Sequence, residues 1–121
     1  MTVLYGIKNC DTVKKARRWL ADHGVAYRFH DFRVDGLDEE QLARWTKQLG
    51  WETLLNRRGT TWRALPDTQR NKVVDAATAV TAMLAHPALI KRPVLESNGA
   101  VRVGFTDGVY AALLHKKREQ A

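Results

Sequence analysis

A chain of 121 residues, 45% hydrophobic and 27% charged, can bury one core without staples, and no apolar run nears the roughly 18 residues of a membrane span. Its 20 Lys and Arg against 13 Asp and Glu leave a net charge of +7, yet no dense basic stripe is interleaved with aromatics, so a nucleic-acid partner is not expected. A single cysteine excludes an internal disulfide, and the first residues lack a basic-then-apolar leader, so the expected setting is cytoplasmic, away from membranes.

Residues 2–7 (TVLYGI) are β-branched and aromatic and predict a buried strand. A short polar loop, Lys8-Asn9-Cys10-Asp11, leads into a helix over residues 12–23, with Asp11 as N-cap and Gly24 as its stop. The apolar positions Val13, Ala16 and Leu20 recur at helical spacing. Residues 25–32 alternate through Tyr27 and Phe29 and predict a second strand, parallel to the first because a helix joins them.

The middle reads as helical. Asp38 caps, Gln41 follows three residues on, and Leu37 can staple to Leu42, so a helix runs to Leu49 with Leu42 and Trp45 inward and Gly50 as its end. A short helical turn covers residues 51–55, and residues 57–63 (RRGTTWR) break the pattern as a polar loop. Helices near residues 67–72 and 75–86 precede His86-Pro87. Residues 94–97 and 100–104 flank Asn98-Gly99, the strongest short hairpin signal. Thr106 or Asp107 caps a last helix, whose end carries the basic run His115-Lys116-Lys117-Arg118. The order βαβ, helices, ββα predicts an α/β, thioredoxin-like fold with a four-stranded mixed sheet. It is expected to form one domain over residues 1–121 with a helical insertion at about 35–88.

Cys10 is the residue best placed for chemistry. It follows a parallel strand, at the end where open α/β sheets put their ligands, and it opens a helix whose free N–H groups favour thiolate over thiol. Its polar neighbours Lys8, Asn9 and Asp11 argue against a buried, inert cysteine. The Asp11 carboxylate opposes the thiolate, so a cation must outweigh it; Lys8, Arg57, Arg58 and Arg92 are the candidates. Arg92-Pro93 precedes the third strand and is expected to be cis. The four histidines lack metal-ligand spacing, no Gly-rich phosphate loop is present, and the four tryptophans read as packing.

Three stretches carry a more specific signal: Tyr5-Gly6-Ile7-Lys8-Asn9-Cys10-Asp11-Thr12, Asn56-Arg57-Arg58-Gly59-Thr60-Thr61-Trp62, and Leu89-Ile90-Lys91-Arg92-Pro93. In that order they resemble the arsenate reductase-like (ArsC/Spx) family, nearest its YffB branch. The resemblance implies that Cys10 is the family's redox cysteine and Pro93 the proline beside it. The family's arsenate reductases hold the oxyanion with three arginines. Here only Arg92 falls on such a position, Asn56 takes the first and Gly104 the last, while Arg58 matches an arginine shared by the Spx and YffB branches. Val13 stands where the Spx branch has its second cysteine, so that intramolecular switch is not expected.

With one thiol, turnover must pass through a mixed disulfide with an external thiol. The leading expectation is a glutathione-dependent thiol/disulfide reductase, with glutathione as co-substrate and no bound cofactor. Cys10 is its catalytic residue; Lys8, Asn9, Asp11, Thr12, Arg58, Arg92 and Pro93 are its substrate-binding residues, and a separate reductase recycles it. The alternatives are an arsenate reductase with an altered oxyanion site and an Spx-like, non-catalytic module that binds RNA polymerase.

Overall fold

Four strands form one mixed sheet in the order β2–β1–β3–β4: β1 Thr2–Gly6, β2 Arg28–Asp31, β3 Val94–Ser97 and β4 Ala100–Val103. β1 pairs parallel with β2 and antiparallel with β3, and β3 pairs antiparallel with β4. The structure is a computed structural model that describes residues 1–119, with side chains through 114. The basic run at 115–118 therefore lies outside the described side chains.

The chain divides into two compact units, residues 1–34 with 92–121, and residues 35–91. In the first, α1 (Asp11–Asp22) and α8 (Asp107–Glu119) bury Ala16, Leu20, Tyr110 and Leu114 against the paired strand residues Leu4 and Leu95. Each of these leucines contributes about 1.5–3 kcal/mol when removed from water. Tyr110 is fully buried, burial pushes its phenol above its ordinary range, and its hydroxyl donates to the Gly104 carbonyl at 3.4 Å. On the sheet's other face Tyr5 stacks with Phe32 and donates to Glu96 Oε1 at 3.0 Å.

The second unit holds α3 (Glu39–Leu49), α4 (Trp51–Leu54), α5 (Thr60–Ala64), α6 (Asp67–Arg70) and α7 (Ala76–Ala85). α3 packs on α4 and α7, and Leu42, Trp45, Leu54 and Met83 are fully buried. A bridge between Leu55 and Ile90 ties the end of α4 to the unit's last residues, reinforced by Asn56 N–H to Leu89 O at 2.7 Å and Lys91 N–H to Leu54 O at 2.9 Å.

Several boundaries differ from the sequence expectation, each for a local reason. Cys10, not Asp11, is the N-cap residue of α1: its backbone is extended (φ −102°, ψ 126°) while Asp11 is already helical, and its carbonyl accepts from Lys14 N–H at 3.0 Å. β2 starts at Arg28 because Val25 N–H is spent on Leu20 O at 2.9 Å, closing α1. Phe32 opens the helical turn α2 (Phe32–Asp35), with Asp31 Oδ1 accepting from Arg33 N–H. Thr60–Ala64 is helical where a loop was expected, with Gly59 as its N-cap residue. Asp38 caps α3 by accepting from Glu40 N–H, and Thr106 Oγ1 accepts from Val109 N–H at the start of α8. The hairpin turn matches the Asn-Gly signal, with φ of 52° at Asn98 and 82° at Gly99.

Two predictions follow from local packing. A Cβ at Gly6 would lie 2.7 Å from Val13 Cγ2, a rigid, fully buried β-branched side chain. Gly6→Ala is expected to cost about 1–3 kcal/mol, read as a lowered urea midpoint with unchanged slope. At α7 the Thr78 backbone N–H and hydroxyl both donate to Asp75, holding its carboxyl below the ordinary 3.8. Because the folded value is the lower one, this stabilisation is complete above pH 3.8 and fades as pH falls through the folded value. The melting deficit of Asp75→Ala at neutral pH should therefore narrow on acidification.

Candidate functional site

The C-terminal end of β1 and the N-terminal end of β3 lie side by side in the sheet, because Tyr5 pairs with Val94. One residue further along each strand come Gly6 and Pro93. The Ile7–Cys10 turn and the Arg92-Pro93 peptide thus leave the same sheet edge, and that geometry assembles the candidate site. The turn is closed by Cys10 N–H to Ile7 O at 3.3 Å. Ile7 is buried whereas Lys8 and Asn9 are exposed, so the chain rises out of the core before α1 begins.

Cys10 is partly exposed, is a free thiol, and makes no side-chain capping bond to α1. Its position leaves it beside the unsatisfied N–H groups of the first helical turn. Asp11 is exposed at the first helical position and Thr12 is half-buried behind it. On the β3 side the Arg92-Pro93 bond is cis, Pro93 is buried, and Pro93 O accepts from Gly104 N–H at 2.8 Å. Arg92 is half-buried, and its Nε is shielded from solvent.

Lys8, Asn9, Cys10, Asp11, Thr12, Arg92 and Pro93 all belong to the first unit, and the strand register gathers them at one edge. Arg58 belongs to the second unit, in the loop before α5, where it is exposed and its side chain pairs with no described residue. Its neighbour Arg57 is engaged: the guanidinium pairs with Glu52 at 3.2 Å and lies 5.6 Å from the Trp51 ring centroid. That separates the two candidates, since Arg58 keeps its charge uncommitted and Arg57 does not.

Two structural roles were not read from the sequence. Asn56 organises the Arg58 loop by accepting from Arg58 N–H with Oδ1 at 3.1 Å, an Asx turn that the Asn-Arg-Arg-Gly order could have signalled. Gly104 sits at φ +82°, in the left-handed region, and both its backbone polar groups are bonded. An arginine there would meet the steric penalty of that region. Among the described residues no group of three His, Cys, Asp or Glu could hold a metal ion, and no helix is long and apolar enough to cross a membrane.

Comparison with known proteins gives a consistent result. The model of the ArsC family matches residues 5–113. A protein of Haemophilus influenzae is 47% identical over 112 residues, covering 93% of this chain and 97% of that one. A solved structure described as the YFFB protein is 54% identical with a TM-score of 0.89, covering 93% of this chain and 97% of its own. A solution structure from Brucella melitensis, described as an arsenate reductase (ArsC) related protein, is 55% identical with a TM-score of 0.73 and 93% coverage of both chains. These matches bear out the family and the thioredoxin-like fold expected from the sequence. Installing an arginine at the Gly104 position should cost about 1–2 kcal/mol of stability. Gly104→Arg compared with wild type by urea denaturation checks this, and Gly104→Asn should cost less.

Proposed function

The chain belongs to the ArsC family, and from that premise we propose that it is a glutathione-dependent thiol/disulfide reductase whose nucleophile is Cys10. The observation that carries the reading is the partly exposed free thiol at the N-cap of α1, set at the sheet edge it shares with Arg92-Pro93. Cys10 sits at the free first-turn N–H groups of α1, and the strand register gathers Lys8, Asp11 and Arg92 at the same end of the sheet. Cys10 Sγ attacks one sulfur of a disulfide; a Cys10 mixed disulfide forms and the other sulfur leaves as a thiolate. The chain has no second cysteine, so an external thiol, glutathione or a separate reductase, must break that mixed disulfide and return Cys10 as thiolate. Arg92 supplies a cation for the carboxylates of glutathione.

The Brucella relative's description raises arsenate as substrate. Against it stands the register of the resemblance, which leaves Arg92 as the one arginine at an oxyanion position, with Asn56 turned inward to its own loop and Gly104 in a conformation that disfavours a side chain.

Intact mass after incubation with oxidised glutathione should show one glutathionyl adduct on wild type and none on Cys10→Ser. Cys10→Ser should also lose glutathione-dependent disulfide reduction. Arg92→Ala should slow adduct formation by roughly tenfold or more, the weight of a charged hydrogen bond, with a smaller effect on the urea midpoint. Retained reductase activity in Cys10→Ser would overturn the reading and bring the polymerase-binding alternative forward. Arsenate-driven glutathione oxidation would instead replace the disulfide substrate with arsenate.

A further inference from the structure

Helix α1 carries four cations, and the fold uses one of them. The Arg17 guanidinium lies 4.3 Å from the Phe29 ring centroid, and its Nε donates to the Tyr27 hydroxyl at 3.0 Å. Lys14, Lys15 and Arg18 are exposed, and among the described residues none of their side chains forms an ion pair or hydrogen bond. Residues three and four apart are neighbours on a helix. These three therefore form one strip facing away from the buried Val13, Ala16 and Leu20. Asp11 and Asp22 bound the strip at its two ends, and neither is paired with it. Lys8, also exposed, extends it around the Cys10 turn.

The placement gains nothing from the helix dipole. A helix prefers cations in its last turn, yet α1 has none there and holds Lys14 and Lys15 close to its start. The strip instead begins one helical turn after the N-cap residue, the candidate nucleophile. Its length also exceeds what a small thiol can use. Arg18 is eight residues beyond Cys10, about 12 Å along the axis at 1.5 Å per residue. A tripeptide spans at most about 10–11 Å end to end, and glutathione is joined to Cys10 through its middle residue.

We infer that this strip is a docking face for an acidic polypeptide that brings its own disulfide to Cys10. The inference rests on Cys10 being the nucleophile and adds the class of partner. In the step itself the Cys10 thiolate attacks one sulfur of the partner's disulfide. The Cys10–partner bond forms, the partner's other sulfur leaves as thiolate, and no further oxidant is needed. Complementary charge raises the encounter rate and is screened by salt.

The test uses two synthetic peptides of equal length, one with glutamates and one with lysines flanking a cysteine held as its thionitrobenzoate disulfide. Release of thionitrobenzoate by the protein is followed at about 0.01 M and about 1 M salt, where the Debye length falls from about 30 Å to about 3 Å. The glutamate peptide should react about tenfold faster at low salt, and the ratio should approach one at high salt. Lys14→Gln/Lys15→Gln/Arg18→Gln should abolish the preference and Lys14→Glu/Lys15→Glu/Arg18→Glu should reverse it, while alkylation by neutral iodoacetamide stays unchanged. Equal rates for the two peptides, or a preference that survives both variants, would overturn the docking face. If oxidised glutathione still modifies Cys10 in that case, the nucleophile stands and only the docking face falls. If neither peptide nor glutathione modifies Cys10, both fall. Single-stranded DNA binding lost in the same variants, with equal peptide rates, would assign the strip to nucleic acid and overturn the inference.

Discussion

At the end of β1 there is room beside the backbone for a hydrogen and nothing larger. Gly6 lets the strand pass so close to Val13 that an added methyl group would overlap its side chain. Val13 is the first buried residue of α1, so this contact sets how near the helix approaches the sheet and where its first turn begins. The turn at residues 7–10 has to bridge that short gap, and Cys10 is delivered to the N-cap position as a consequence. Pairing of Leu4 with Leu95 then brings the start of β3, and Arg92-Pro93 with it, to the same edge. The reactive position is thus a by-product of packing between glycine and valine, two residues with no chemistry of their own.

Charge in this protein divides into cations that hold the fold and cations that do not. Arg17 lies over Phe29 and bonds Tyr27, while Arg57, though exposed, is held by Glu52 near Trp51. Arg58, Lys14, Lys15 and Arg18 are solvated, and their contribution to stability is correspondingly small. A net charge of +7 is costly to a compact state through self-repulsion. Uncommitted cations on the helix that begins at the thiol, and on a loop held by its own Asn56, have their effect on what approaches from solution.

The second unit shows how far local signals can specify short helices. Asp75 and Thr78 form a reciprocal cap, with Thr78 Oγ1 also accepting from Asp75 N–H. Asp38 caps α3 without help from Gln41, whose side chain bonds no described residue. α5 has only a glycine at its start and no side-chain cap, so tertiary context accounts for a helix that the local sequence did not announce. Packing also overrides the apolar pattern at Val25, which extends the run before β2 but is used to close α1.

The sequence by itself determined the element order, the parallel β1–β2 pair, the Asn98-Gly99 hairpin, the buried faces of α1 and α3, and the position of the single cysteine between strand and helix. These are legible because periodicity, capping residues and turn residues act over a few neighbours in the chain. Only the tertiary structure decided that Cys10 and not Asp11 is the N-cap residue, since that depends on how closely β1 and α1 pack. It alone separated Arg57 from Arg58 and Arg17 from its three neighbours on α1, because the distinction lies in aromatic and acidic partners that an isolated arginine does not reveal. It alone gave Gly104 its reason, a positive φ imposed where β4 ends and Tyr110 and Pro93 both bond its backbone. Such facts are set by residues distant in sequence that meet in space, and no short-range pattern encodes them.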